Sequence, residues 1–259
     1  MLVRTMMRSL ELLQFYRQLS TQVFTVVDVE TTGMAGWRDR ITELSVLQAT
    51  LEDGVVDQRT SLLNPGVPIP ANIVAFTGIS QAMVDAAPTT ADVLPNYWPT
   101  LNQGILTAHN LNFDYAFLQA EYARLDYSFD RPPSEQLCTV ALSRLLLADL
   151  PSRSLPNLVA HFGFSVGRSH RAAADTLACW MLTQRLLSDL LDGDDDAILQ
   201  RLQQQWIPLK AAADVLNCST RVGQRRLDQA GVNHRLVTRG RSQTRMYRRG
   251  DVEQVAGLG

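Results

Sequence analysis

The chain has 259 residues, of which 46% are hydrophobic and 19% charged, with a net charge of −2; that composition is ordinary for a globular protein and allows one large domain or a standard domain plus a small one. Positions 221–249 hold nine arginines and one acid, Asp228, leaving 15 basic and 25 acidic residues elsewhere, so a basic block that suits an anionic partner adjoins an acidic body. Cys138, Cys179 and Cys218 give neither a metal-ligand spacing nor a disulfide framework, which fits a reducing cytoplasm, and no apolar run reaches the ~18 residues of a membrane span.

At the start, Arg4, Arg8, Glu11 and Arg17 interrupt the apolar residues, so no secretion signal is visible. Met6, Leu10, Leu13 and Tyr16 fall at helical spacing and predict an amphipathic helix docked on the body. Val23–Val29 has the Val, Phe and Thr content of a buried strand. Ile41–Leu51 and Val55–Leu63 follow as strands around the Glu52-Asp53-Gly54 turn, an antiparallel meander closed by Asn64-Pro65-Gly66. Short helical segments punctuated by Gly78, Pro88, Pro95 and Pro99 occupy 71–103. A strand over Gly104–His109 leads into a helix near Asn112–Arg124, and further helices are expected near Thr139–Ala148, Leu155–Phe162 and Arg171–Leu191. Three strands, then alternating helix and strand, then helices predict an α/β fold in which helices cover a mixed sheet.

Asp192-Gly193-Asp194-Asp195-Asp196 marks a boundary. It divides a body over 1–191 from a linker with a bridging helix over 192–205 and a C-terminal module over 206–259.

Four carboxylates and a histidine sit where elements end or begin. Asp28 and Glu30 are i and i+2 on a strand, so their side chains leave one face together. Two acids side by side at the end of an apolar strand raise each other's pKa unless a cation intervenes, and oxygen-only ligands suit Mg²⁺ or Mn²⁺. His109-Asn110-Leu111-Asn112-Phe113-Asp114 carries the next strand into a helix, with Asp114 in the first turn, where an acid also suits the helix dipole. Asn110 and Asn112 read equally as caps. Ser169-His170-Arg171-Ala172-Ala173-Ala174-Asp175 opens the last long helix, with Asp175 in its second turn. His170 is placed to swing over the same cleft, and imidazole is the side chain suited to taking a proton from water near neutrality.

In this order the segments resemble the DnaQ-like exonuclease superfamily, in its histidine (DEDDh) branch, over about Phe24–Leu187. That superfamily includes the epsilon subunit of bacterial DNA polymerase III, RNase T and oligoribonuclease. Asp28-Val29-Glu30-Thr31-Thr32-Gly33 matches its first motif, His109-Asn110 with Phe113-Asp114 its second, and His170 with Asp175 its third. The tyrosine branch would place Tyr where Arg171 stands. Arg40-Ile41-Thr42-Glu43-Leu44 and Phe76-Thr77-Gly78-Ile79 also resemble family segments, with Thr77 departing from a common histidine. The resemblance implies an RNase H-like five-stranded mixed sheet and two divalent cations, with Asp28 bridging both, Glu30 and Asp175 completing one site and Asp114 supporting the other. It further implies that His170 takes the proton of the attacking water, and that a nucleoside 5′-monophosphate leaves from a 3′ end. Thr31, Thr32 and Gly33 would meet the terminal nucleotide, with Phe76, Thr77, Asn110 and Phe113 as further substrate contacts. DNA with single-stranded 3′ ends is the preferred substrate, in repair or proofreading alongside a polymerase III or repair partner. An exoribonuclease is the nearest alternative and a non-catalytic DNA-binding regulator a more distant one.

From Ile207 the pattern changes. Lys210–Leu216 and Thr220–Gln229 read as helices joined by Asn217-Cys218-Ser219, with Val222 and Leu227 on the packing side. Arg235–Thr238 and Gln243–Arg248 read as a hairpin, and Asp251 as the cap of a final helix. The segment resembles winged helix-turn-helix domains of the excisionase and MerR type. That implies a second helix carrying Arg221, Arg225 and Arg226 into a nucleic-acid groove, and a wing whose Arg239 and Arg241 meet phosphates.

Overall fold

The computed structural model describes residues 7–167, 169–240 and 242–257; the side chain of Arg239, all of Arg241, and Met6 of the expected N-terminal helix lie outside the described residues. The chain forms two compact units: Ser20–Arg144 with Asp149–Leu186, and Met1–Leu19 with Leu145–Ala148 and Leu187–Gly259.

In the larger unit, β1 (Phe24–Thr31), β2 (Ile41–Thr50), β3 (Gly54–Leu62), β4 (Ile105–Ala108) and β5 (Gln136–Cys138) make one sheet in the order β3-β2-β1-β4-β5. β1 runs antiparallel to β2 and parallel to β4, and β4 runs parallel to β5. β1 is central, and its near-continuous burial follows from helices covering both of its faces. Val27 and Val29 face the core shared with Leu94, Tyr97 and Leu101 of α4 (Thr90–Leu101) and with Leu118 and Tyr122 of α5 (Leu111–Ala123). On the opposite face Phe24 meets Trp180 of α8 (Ala172–Asp192), their ring centroids 5.7 Å apart. Trp180 is 2% exposed, and truncating such a residue to alanine costs about 3–5 kcal/mol.

Between β3 and β4 lie α2 (Ala71–Thr77), α3 (Gln81–Asp85) and α4. Instead of breaking at its prolines, α4 runs through both Pro95 and Pro99. A capping box between Thr89 and Asp92 starts it, and burial of Val93, Leu94, Tyr97 and Leu101 offsets the lost backbone hydrogen bonds. After β5 come α6 (Thr139–Leu146) and α7 (Leu155–Phe162).

The smaller unit draws on both ends of the chain. The N-terminal helix α1 (Ser9–Leu19) groups with the C-terminal residues, because its polar groups find their partners there. Glu253 accepts from the Ser9 N–H at 2.6 Å and from its hydroxyl at 2.8 Å, and Arg17 pairs with Asp195 at 2.6 Å. The expected linker is α9 (Asp195–Gln203), with Ile198 and Leu202 buried. Then follow β6 (Trp206–Pro208), α10 (Leu209–Val215), α11 (Thr220–Gln229), β7 (His234–Arg239), β8 (Ser242–Arg248) and α12 (Arg249–Gly257), with a three-stranded sheet in the order β6-β8-β7. Ser219 caps α11 by accepting from the Val222 N–H. Gly223, where a Cβ would come 3.0 Å from that of Ala213, lets α10 and α11 cross closely. Gly223 and Leu227 therefore make the packing edge of α11, whereas Val222 is exposed. Among the described residues no helix is long and apolar enough to cross a membrane.

Candidate active site

Strand alternation puts Asp28 and Glu30 on the β1 face that carries Phe24, the side covered by α8. Asp175, in the first turn of α8, completes a cluster: Asp28, Glu30 and Asp175 each bring a carboxylate oxygen within 4.8 Å of the others. Asp114, in the first turn of α5, is 2% exposed, and its Oδ1 accepts the Val29 N–H at 3.2 Å, beside the residue between the two β1 acids. It adjoins the trio from the β4–α5 junction, where Asn110 adopts a left-handed φ of 75°.

The electrostatics follow from burial and crowding. Asp28 is pushed well above the usual carboxylate range by desolvation, then by Asp114, Asp175, Glu30 and Glu43. Burial also raises Asp114 and Asp175. Glu30 rises to about 7 through burial and its neighbours Asp175 and Glu43, with Arg171 opposing. Gathered acids that resist ionisation are what a divalent cation relieves, and an all-oxygen donor set suits a hard ion such as Mg²⁺ or Mn²⁺.

His170 precedes α8 in a left-handed conformation, φ 62°, and its N–H donates to Asp175 Oδ2 at 2.8 Å. Its ring lies 3.8 Å from that of Phe76, at 34°. Phe76, expected as a substrate contact, thus lies against the histidine ring while remaining 56% exposed.

Two further residues build this corner. Glu43 stands opposite Glu30 in the β1–β2 register and is 1% exposed. It receives two hydrogen bonds from Arg171, at 2.6 and 3.1 Å, and one from the Ala172 N–H at 2.9 Å. This fork ties the start of α8 to β2 and brings one cation near the acids. The legible signals were an acid inside the apolar run Ile41–Leu44 and an arginine directly after His170.

Several expected substrate contacts are engaged inside the protein. The Thr31 hydroxyl donates to the Gly33 carbonyl at 2.6 Å, and the Thr32 hydroxyl accepts from the Arg40 N–H at 3.0 Å. Both residues are buried, so they close the loop after β1 instead of presenting hydroxyls. A Cβ on Gly33 would lie 2.3 Å from the Asp39 carboxylate, so a side chain there would push that carboxylate off its hydrogen bond from the Ala35 N–H. Thr77, 2% exposed, donates to the Ile73 carbonyl and accepts from the Ile79 N–H, finishing α2. Phe113 packs against Phe117 at 4.9 Å beside the core. Asn110 is exposed, and its side chain makes no cap bond to α5. His109 is a strut: its ring meets the Thr139 hydroxyl at 2.8 Å and the Arg153 carbonyl at 3.0 Å, and burial lowers its pKa to about 4, which keeps it neutral.

The exonuclease family RNase_T matches residues 25–183, more than half of the chain and the whole of this acidic site. The chain belongs to this exonuclease family. A PolC-type DNA polymerase III from Oceanobacillus iheyensis is 35% identical over 176 residues, which are 66% of this chain but 12% of the polymerase. Similar folds occur in exonuclease X solved with 5′-overhanging duplex DNA (TM-score 0.51, 23% identity, 69% of this chain and 99% of that one). The nuclease domain of 3′hExo, a DEDDh family member bound to rAMP, is also similar (TM-score 0.55, 18% identity, 64% of this chain and 92% of that one). DEDDh exonucleases use divalent metal ions, and the cluster of Asp28, Glu30 and Asp175 is compatible with that use.

Proposed function

We propose that this exonuclease removes nucleotides from the 3′ end of DNA, releasing nucleoside 5′-monophosphates. The observation that carries the reading is the meeting of Asp28, Glu30 and Asp175 oxygens within 4.8 Å, with buried Asp114 alongside. These four residues would hold two divalent cations, Mg²⁺ or Mn²⁺. When bound, such cations stabilise the attacking and leaving oxygens of an in-line displacement at phosphorus.

The chain's own residues do the rest. Glu43 and Arg171 hold the start of α8 so that Asp175 reaches the acids of β1. His170, beside Asp175 and half-exposed, accepts the proton of the attacking water. The DNA preference draws on the similarity to PolC-type DNA polymerases and to exonuclease X, whose structure holds DNA. A proofreading or repair setting, with a polymerase or repair partner, belongs to the same reading. Residues 206–259 are assigned as an appended winged helix-turn-helix module, a reading supported by α10, α11 and the three-stranded sheet.

Incubation with 5′-labelled DNA and RNA oligomers, with Mg²⁺, Mn²⁺ or a chelator, tests this. A metal-dependent ladder of 3′-shortened DNA is expected. A ladder on RNA alone transfers the activity to exoribonuclease, and no ladder on either removes the catalytic reading.

A further inference from the structure

β8 of the C-terminal unit has two unlike faces. Tyr247, 0% exposed, and its partner Ile207, 3% exposed, point into the core with Val215, Leu227 and Val252. Strand alternation therefore turns Met246 and Arg248 the other way, and the register places Trp206 opposite Arg248 and Arg235 opposite Met246. On this open face the guanidinium carbons of Arg235 and Arg248 lie 4.4 and 4.6 Å from the centroid of the Trp206 ring.

A guanidinium is planar and weakly hydrated, so it stacks on an aromatic ring while its N–H groups point outward around its edge. Two such cations on one indole repel each other, and among the described residues neither has a carboxylate partner. Arg248 donates from Nη1 to the Gln204 carbonyl, which fixes its orientation without neutralising it. Other arginines nearby are engaged. Arg245 pairs with Asp228 at 3.3 Å, and Arg226 donates to the carbonyls of Leu216 and Val255.

We propose that the open face of the β6-β8-β7 sheet binds the phosphodiester backbone of a nucleic acid, with Arg235 and Arg248 held ready by stacking on Trp206. Two guanidinium groups held on one face without a carboxylate between them, within a stretch that carries a net positive charge, make a polyanion the complementary occupant. The choice of nucleic acid over an acidic protein rests on the exonuclease reading. A phosphate between the guanidinium groups accepts hydrogen bonds from both and removes their mutual repulsion.

The test uses the full chain in chelator and a labelled DNA oligonucleotide, single-stranded or duplex, with affinity measured by anisotropy across salt concentrations. Arg235→Gln and Arg248→Gln should each weaken binding about tenfold at low salt and reduce the slope of log K against log[salt] by about 1. Trp206→Ala should weaken binding about threefold without changing the slope, since it removes alignment and not charge. Trp206→Phe should restore affinity, which separates stacking from misfolding. Mn²⁺-dependent hydrolysis of the p-nitrophenyl ester of thymidine 5′-monophosphate, which carries no polynucleotide backbone for this face to hold, should be unchanged in every variant; its absence in the parent protein would count against the exonuclease reading and leave the binding result standing. Wild-type affinity and slope in both arginine variants overturn the proposal, as does displacement of DNA by an equal charge concentration of polyglutamate.

Discussion

In the exonuclease unit, acids arrive from β1, the start of α5 and the start of α8 to meet in a buried corner. In the C-terminal unit nine arginines are concentrated at positions 221–249, and the stacked pair projects from an outer sheet face. The two concentrations of charge have different physics. Burial makes the acidic cluster unfavourable by itself, so it depends on the fold that gathers it and on a cation to relieve it. Arg235 and Arg248, on an open face, stay within reach of salt, so each contributes a modest, separable increment. Damage should therefore be nearly all-or-none at the first site and graded at the second.

The largest effect expected is from Asp28→Ala, which should lower exonuclease activity by ~10³-fold or more while leaving circular dichroism and metal-free Tm at or above the parent values, because it removes a buried carboxyl group crowded by other acids. Activity above a tenth of the parent's would break the all-or-none side of the comparison. His170→Ala should cost ~10²-fold in kcat at neutral pH, with little change in metal affinity. Next, Arg171→Ala leaves Glu43 buried without its fork. The loss in a denaturant titration should be about 1–2 kcal/mol, below that of a fully buried pair because the Arg171 side chain keeps 40% exposure.

The pH dependence sharpens the role of crowding. Glu30, raised from 4.5 to about 7, keeps its proton in the folded chain over a range in which the unfolded chain has released it. Metal-free stability should therefore be present in full at low pH and fall as pH rises from about 4.5 to about 7. Mg²⁺ or Mn²⁺ should raise Tm more at pH 7.5 than at pH 5, and an equal rise at both would separate the acids from cation binding. The smallest effects belong to α11. Arg226→Ala, which loses contacts to two carbonyls, should reduce stability by about 1 kcal/mol. Arg225→Ala, at an exposed position, should leave the unfolding midpoint unchanged.

The same contrast explains what could be read without coordinates. The five positions proposed for the site could be singled out because each sits near an element's end, Asp28 with Glu30, Asp114, then His170 with Asp175, and the fold gathers Asp28, Glu30 and Asp175. Most strands and helices followed from periodicity and turn residues, and α7 and α11 fall on the expected ranges. β5 and β6 did not, since three residues leave too short a pattern. The uses of Thr31, Thr32 and Thr77 were hidden because a hydroxyl beside a site reads alike whether it faces a ligand or its own loop. The Glu43–Arg171 fork links residues far apart in the chain, which local spacing does not reveal. α1 groups with the C-terminal unit through partners such as Glu253, equally remote in sequence.

Asp28, Glu30 and Asp175, with Asp114 beside them, are proposed to form a site for divalent cations. Calorimetric titration of Mn²⁺ into the parent protein and into Asp28→Ala tests it most directly. Saturable binding to the parent that disappears in the variant is the predicted result. Equal binding by both proteins, or none by the parent at neutral pH, would contradict it.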